Sequence, residues 1–257
     1  MKEPTPQQPG RYRLGSDTFR FACNEEIPCF TRCCQNADML LYPYDIIRLK
    51  KHLGMTSEEF LVTHTITAFR DNPNFPSIML KMSDDEGHPC SFLSDKGCTV
   101  YENRPYSCRA YPLEPAMQDN GKGGFSITSY VVQHDHCLGH GEGKDWTSEA
   151  WMKSQGMETY NKYNSAWAKV ASLLFSPNAF GEQGADNPAM NMAYMASYNV
   201  DTFRRFVKES SFLKKYKVPK KRLTQIKRDD AALMLLGFDW IRRFLRGQGP
   251  LQEKKKR

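Results

Sequence analysis

Eight cysteines, all within the first 137 residues of a 257-residue chain, constrain this protein more than any other feature of its sequence. They stand at Cys23, Cys29, Cys33, Cys34, Cys90, Cys98, Cys108 and Cys137, and the first run reads C-x5-C-x3-C-C. Three fates are open to them. Disulfides suit small secreted domains, but Met1 to Gly10 is rich in Pro and Gln and lacks the basic, then apolar, pattern of a secretory leader. The chain is therefore expected in the cytoplasm, where thiols stay reduced. Burial as an isolated small hydrophobe is the usual fate of a single Cys, yet eight in half a chain, two of them adjacent, argue against it. The third fate is metal ligation, and eight thiolates suffice for two four-coordinate centres, either zinc or iron–sulfur.

Spacing does not choose the metal. No C-x2-C pair occurs, which counts against zinc ribbons and knuckles as well as a ferredoxin-type run. Aromatics flank the thiols (Phe21, Phe30, Phe92, Tyr101, Tyr106, Tyr111), and an apolar shell that limits water tips the reading toward iron–sulfur. Adjacent side chains on an extended backbone point to opposite sides, so Cys33 and Cys34 are free to serve different centres. His88, His134, His136 and His140 lie close to cysteines in sequence. With eight thiols present, they read as hydrogen-bonding neighbours or exposed residues rather than substitute ligands. His52 and His64 fall in helical stretches and carry no functional reading.

The remaining composition is that of a globular protein, 40% hydrophobic and 25% charged. No stretch reaches the ~20 apolar residues that cross a bilayer. Charge is unevenly spread: residues 1–150 carry 15 Lys/Arg against 20 Asp/Glu, a net −5, which leaves +12 for residues 151–257. This asymmetry, with that of the cysteines, predicts a tail over 1–17, a cysteine-cluster domain over 18–145, a helical region over 146–249 closing over it, and a basic tail over 250–257. Within the cysteine domain, Pro43 opens a helix that Gly54 ends, and Thr56 with Glu59 forms a capping box. Residues 66–69, 77–82, 91–93 and 125–132 read as strands. Beyond Trp146, Tyr160, Tyr163, Trp167, Val170 and Leu174 form one helical stripe, and further helices are expected over 190–198, 201–216 and 220–246. The fold class is α+β, a small irregular cysteine-cluster domain packed against a helical C-terminal region.

The residues from Phe21 to Cys34, the segment Tyr42-Pro43-Tyr44-Asp45-Ile46-Ile47-Arg48-Leu49, the run Gly97-Cys98-Thr99-Val100-Tyr101-Glu102-Asn103-Arg104-Pro105-Tyr106-Ser107-Cys108-Arg109-Ala110-Tyr111-Pro112 and the glycine-spaced Cys137 to Gly143 occur in that order. Over roughly residues 19–145 the chain thereby resembles the CxxCxxCC cysteine-cluster family of zinc- or iron-chelating domains. It is also similar in part to the cysteine-rich region of flagellin lysine methylases. The first run here is wider than the C-x2-C-x2-C-C of the family name. Arg104 and Arg109 bracket Cys108, where a permanent positive charge would offset thiolate charge; pairing with surface acids is the alternative. Pro105 and Pro112 are expected to bound a one-turn helix that mounts Cys108.

The sequence thus predicts a cysteine-ligated protein that binds zinc or iron, in one or two centres. Two alternatives stay open: an iron–sulfur enzyme of the redox or protein methyl-transfer type that the resemblance suggests, and an adaptor whose metal is structural. The cluster Lys214, Lys215, Lys217, Lys220, Lys221 and Arg222 would attract phosphates. Basic runs are more often solvated helix faces and no nucleic-acid fold is recognisable, so nucleic acid is not the expected partner; an acidic surface is the other candidate. No phosphate loop, H-E-x-x-H or G-x-S-x-G occurs, and no catalytic residue or substrate can be named.

Overall fold

A computed structural model describes residues 10–70, 73–119, 125–177, 179–180, 187–247 and 249–254. Strands β1 (Arg11–Arg13), β2 (Phe19–Phe21) and β3 (Leu40–Leu41) precede helices α1 (Pro43–Leu53) and α2 (Ser57–His64). Short strands follow, β4 (Thr65–Ala68), β5 (Ser77–Leu80), β6 (Leu93–Ser94) and β7 (Gly97–Cys98), then helix α3 (Tyr106–Ala110) and the paired strands β8 (Leu113–Asp119) and β9 (Phe125–Val132). After β10 (Lys144–Trp146) the chain is mainly helical, with α4 (Ser148–Ser154), α5 (Glu158–Leu174), α6 (Pro188–Tyr198), α7 (Val200–Glu209) and α8 (Phe212–Lys215). Strand β11 (Tyr216–Lys217), helices α9 (Lys220–Ile226) and α10 (Asp230–Arg246), and strand β12 (Gln252–Glu253) complete it. The class is α+β with a helical C-terminal region, and among the described residues no helix is long and apolar enough to cross a membrane.

The local signals act where physics places them. Pro43 begins α1, and Gly54 ends it with φ 68°, the left-handed conformation glycine adopts without penalty. The Thr56 hydroxyl accepts from the Glu59 backbone N–H at 3.2 Å, and the Glu59 carboxylate accepts from that of Thr56 at 2.7 Å. Three expected elements differ. The strand over 91–93 is a tight β6–β7 hairpin, with Leu93 opposite Cys98. The helix over 201–216 stops at Glu209, and Ser210 Oγ accepts from the Phe212 N–H at 3.1 Å. The helix over 220–246 breaks at Asp229, whose carboxylate accepts from the N–H groups of Ala231 and Ala232 and caps α10. Within the spans expected as tails, Arg11–Arg13 pairs with β9 and Gln252–Glu253 with β11. The apolar neighbours of those strands explain their order: Leu14 and Leu251 are buried. Residues 1–9 and 255–257 of the expected tails lie outside the described residues.

The chain divides into two compact units, each drawn from two stretches: residues up to Met39 with Met82–Asn161, and Leu40–Lys81 with Lys162–Arg257. In the first, β1, β9 and β8 form an antiparallel sheet, and β10 pairs with β2. Its core gathers Leu14, Phe19, Phe21, Leu113, Val131 and Trp151, with Tyr111 and Cys137 packed against it. The Trp151 indole N–H donates to the carbonyl of Ala110 at 2.9 Å, tying α4 to the helix that carries Cys108. In the second unit β5 lies between β3 and β4. Phe75, fully buried, meets the rings of Trp167, Phe175, Phe180 and Tyr198. The aromatics of the C-terminal helices pack on one another, with Phe203, Phe206, Phe212 and Phe244 all around Trp240.

Candidate metal centre

All eight cysteines belong to the first unit, and all are free thiols. Four of them meet because two chain segments approach unusually closely. The Ala22 N–H donates to the carbonyl of Gly139 at 3.1 Å and that of Gly141 to Arg20 at 3.1 Å. A side chain at Gly139 would place its Cβ 2.2 Å from the Ala22 carbonyl oxygen, and one at Gly143 would meet the Ala22 Cβ at 2.8 Å. Only hydrogen fits there, which explains the glycine spacing after Cys137. The approach carries Cys23 to Cys137, and successive tight turns over 24–34 bring in the next two. Cys23, Cys29, Cys33 and Cys137 line one pocket with Phe21, Phe30, Tyr111 and His136. The backbone N–H of Leu138 donates to the Cys29 sulfur at 3.1 Å.

Of the other four, Cys90 and Cys108 lie near Cys34, and Cys98 near Cys90. The Cys90 N–H donates to the Cys34 carbonyl at 2.7 Å, and the ladder continues outward with the Asn36 N–H on the His88 carbonyl at 2.9 Å. The β6–β7 hairpin then sets Cys98 opposite Leu93, itself hydrogen-bonded to the Cys90 carbonyl. Cys108, on α3, approaches the Met39 thioether, sulfur to sulfur at 3.6 Å. Negative charge at Cys108 and Cys90 acts on Cys34, which places all three within electrostatic reach. Cys98 acts in the same way on Cys90.

Cys33 and Cys34 lie between the remaining thiols, Cys33 acting on Cys23 as well as on Cys90 and Cys98. They occupy a 3₁₀ turn, Arg32–Cys34, not an extended segment, so their side chains do not diverge fully. The Cys34 thiol donates to the Cys33 sulfur, which lowers the Cys33 thiol to about 7 and raises that of Cys34. Burial of the sulfur pushes Cys23 up to about 11, and it also raises Cys90 and Cys98. These thiols hold their protons at neutral pH until something displaces them. A divalent metal does so.

Around the first group, burial and a hydrogen bond to Cys137 raise the Tyr111 hydroxyl, which also shares a hydrogen bond with His140 Nε2 at 3.2 Å. The rings of Tyr111, His134 and His136 stack, with centroids 5.6 and 5.3 Å apart. His136 reaches the pocket, whereas His88 Nδ1 is engaged by the Ser83 carbonyl at 3.2 Å. Arg109 is buried and does not pair with a surface acid: its guanidinium donates to the carbonyls of Gln155 at 2.6 Å and Glu102 at 2.8 Å, fixing the loop between Cys98 and Cys108. Sequence reasoning missed the Leu138 N–H and Met39. The first is backbone, and the second has nothing in its flanking residues to mark it. Among the described residues, no three His, Cys, Asp or Glu side chains converge tightly enough to stand as a metal site already formed.

A cysteine-rich α+β unit with eight reduced thiols gathered in one region defines the class. Residues 22–138 match the model of the CxxCxxCC family, described as "Putative zinc- or iron-chelating domain". No curated protein and no solved structure matches the chain. The similarity to flagellin lysine methylases finds no support among these comparisons.

Proposed function

We propose that the chain holds zinc or iron in two adjoining cysteine centres, Cys23, Cys29, Cys33 and Cys137 in one and Cys34, Cys90, Cys98 and Cys108 in the other. What supports this reading is that Cys23, Cys29, Cys33 and Cys137 line one pocket, while Cys34 lies within electrostatic reach of Cys90 and Cys108. The donor set fits the metals: four thiolates complete a tetrahedral zinc site or hold one iron–sulfur cluster. When bound, such a metal would supply structural cross-linking, or electron storage if it is a cluster. The chain's own contribution is to collect the sulfurs, to donate backbone N–H to Cys29, and to line the pocket of the first group with Phe21, Phe30 and Tyr111. The flanking rings and the N–H···S bond would tune the potential of a cluster bound there.

Anaerobic purification of the full chain, followed by metal and sulfide analysis and an absorption spectrum, tests the proposal. Two zinc ions per chain without colour, or a brown protein with iron and sulfide, is the expected outcome. A chain that binds neither metal, with all eight thiols equally open to alkylation in the presence and absence of metal, overturns it.

A further inference from the structure

Cys108 sits on α3, which is tied down on both sides. The Trp151 indole N–H donates to the Ala110 carbonyl at 2.9 Å, and Arg109 donates to the carbonyls of Gln155 and Glu102. From that mount the Cys108 thiol, exposed to solvent, donates to the thioether of Met39, sulfur to sulfur at 3.6 Å. A thiol is a weak donor and a thioether a weak acceptor, so the contact contributes little as a hydrogen bond. Packing does not account for it either, because Met39 is only part-buried and stands outside the buried core. A leucine would cover the same surface. A second thioether stands by a second thiol of the same unit: Met82 lies opposite Cys90 in an antiparallel bridge, where paired side chains leave one face.

What the Cys108–Met39 pair fits is a soft, singly charged metal ion. Sulfurs bound to one metal at about 2.3 Å each stand about 3.7 Å apart at a tetrahedral angle, and the separation here is 3.6 Å. An ion entering between them takes the place of the thiol proton. That proton leaves to solvent, the Cys108 sulfur becomes a thiolate, and Met39, with no proton to lose, lends a lone pair. One thiolate and one thioether around a singly charged ion sum to zero, whereas zinc or iron(II) in the same place would keep an unbalanced positive charge. Of the ions that soft sulfur donors select, copper(I) is the one with that charge. We infer that Cys108 and Met39 form a copper(I) site, open to solvent, on the cysteine-bearing unit. It shares Cys108 with the second centre proposed above and needs none of that centre's other thiols.

The test uses the full chain, metal-free and under anaerobic reducing conditions, with isotope-labelled methionine methyl groups followed by NMR. The Met39 signal is assigned from its absence in Met39→Leu, or in Met39→Ile should the leucine variant fail to fold. Copper(I) supplied below one equivalent from a chromogenic chelator should shift that signal, and Cys108→Ser should abolish the shift. In competition with the chelator, removal of the thioether should weaken copper(I) binding by about 10- to 100-fold, the range lost when even an indirect partner of a metal is removed. Zinc affinity should not change in the same variant, because the cysteines are untouched. A Met39 signal that stays in place, a shift that survives Cys108→Ser or is confined to Met82, or a copper(I) affinity unchanged without the thioether overturns the inference. Each of these outcomes leaves zinc or iron uptake by the cysteines to the metal analysis described above, so the two readings fail separately.

Discussion

Cys98 and Cys108 lie only ten residues apart, yet different elements mount them: the β6–β7 hairpin and the one-turn helix α3. Because both are assigned to the second group, Cys98→Ser or Cys108→Ser should remove about half of the bound metal and leave the first group loaded, whereas Cys23→Ser should do the reverse. Metal content per chain, measured after gel filtration, decides it; full content in both second-group variants removes those residues from the site. A second residue-scale prediction concerns Asp201. Burial pushes its carboxyl up, but the Ser57 N–H and the Lys50 ammonium outweigh this and hold it below its ordinary value. A depressed carboxylate stabilises the fold above its unfolded pKa, and that stability is lost as pH falls through the lower, folded value. Asp201→Asn should therefore cost about 2 kcal/mol at pH 7, a difference that shrinks below about pH 4. Urea melts at the two pH values read it directly, and a pH-independent gap would show that the charge is irrelevant.

At the scale of elements, helix caps and turns were legible because each is decided by a few neighbouring residues. Pro43, Gly54, Thr56 and Glu59 bound α1 and open α2 as their chemistry requires. The break at Asp229 was not legible: apolar residues continue on both sides of it, and a cap differs from a surface Asp only in what its carboxylate touches. The cysteines were visible as a set, but which of them share the pocket of Cys23, Cys29, Cys33 and Cys137 depends on which segments meet. The glycine run after Cys137 was visible too, though not its purpose. That purpose can be tested. Gly139→Ala puts a methyl group where the Ala22 carbonyl stands 2.2 Å away, so the segment leading to Cys23 must move. Overpacking of this kind costs about 1–3 kcal/mol, and metal held by the first group should drop while the second keeps its share. Gly54→Ala is the control, since a methyl there meets nothing within 4 Å: it should cost only the strain of a left-handed alanine, about 1 kcal/mol, and no metal.

At the scale of the whole chain, composition could suggest only contiguous blocks, because cysteine counts and charge sums are taken over continuous stretches. The structure is interleaved instead, and residues 40–81 leave the cysteine-bearing unit after Cys34 and return before Cys90. That excursion begins and ends at one place: β3 pairs with β5, so that Leu40 faces Met79. Closing a free loop of that length would cost about 3 kcal/mol of chain entropy, whereas the folded second unit holds its ends together already. Cys34 and Cys90 are joined at 2.7 Å through carbonyl and N–H, and the sheet that closes the excursion contains no cysteine. Phe75→Ala, which empties the fully buried centre of that second unit, should destabilise it by about 3–5 kcal/mol. If chain closure couples the two, metal release from the second group, followed with a chromogenic chelator during heating, should move to lower temperature together with the unfolding of the helices. The first group, whose cysteines are not bridged by the excursion except through Cys137, should release its metal later. Release from the second group at an unchanged temperature, while the helical signal melts early, would mean that the ladder between Asn36 and Cys90 holds the centre without help from residues 40–81.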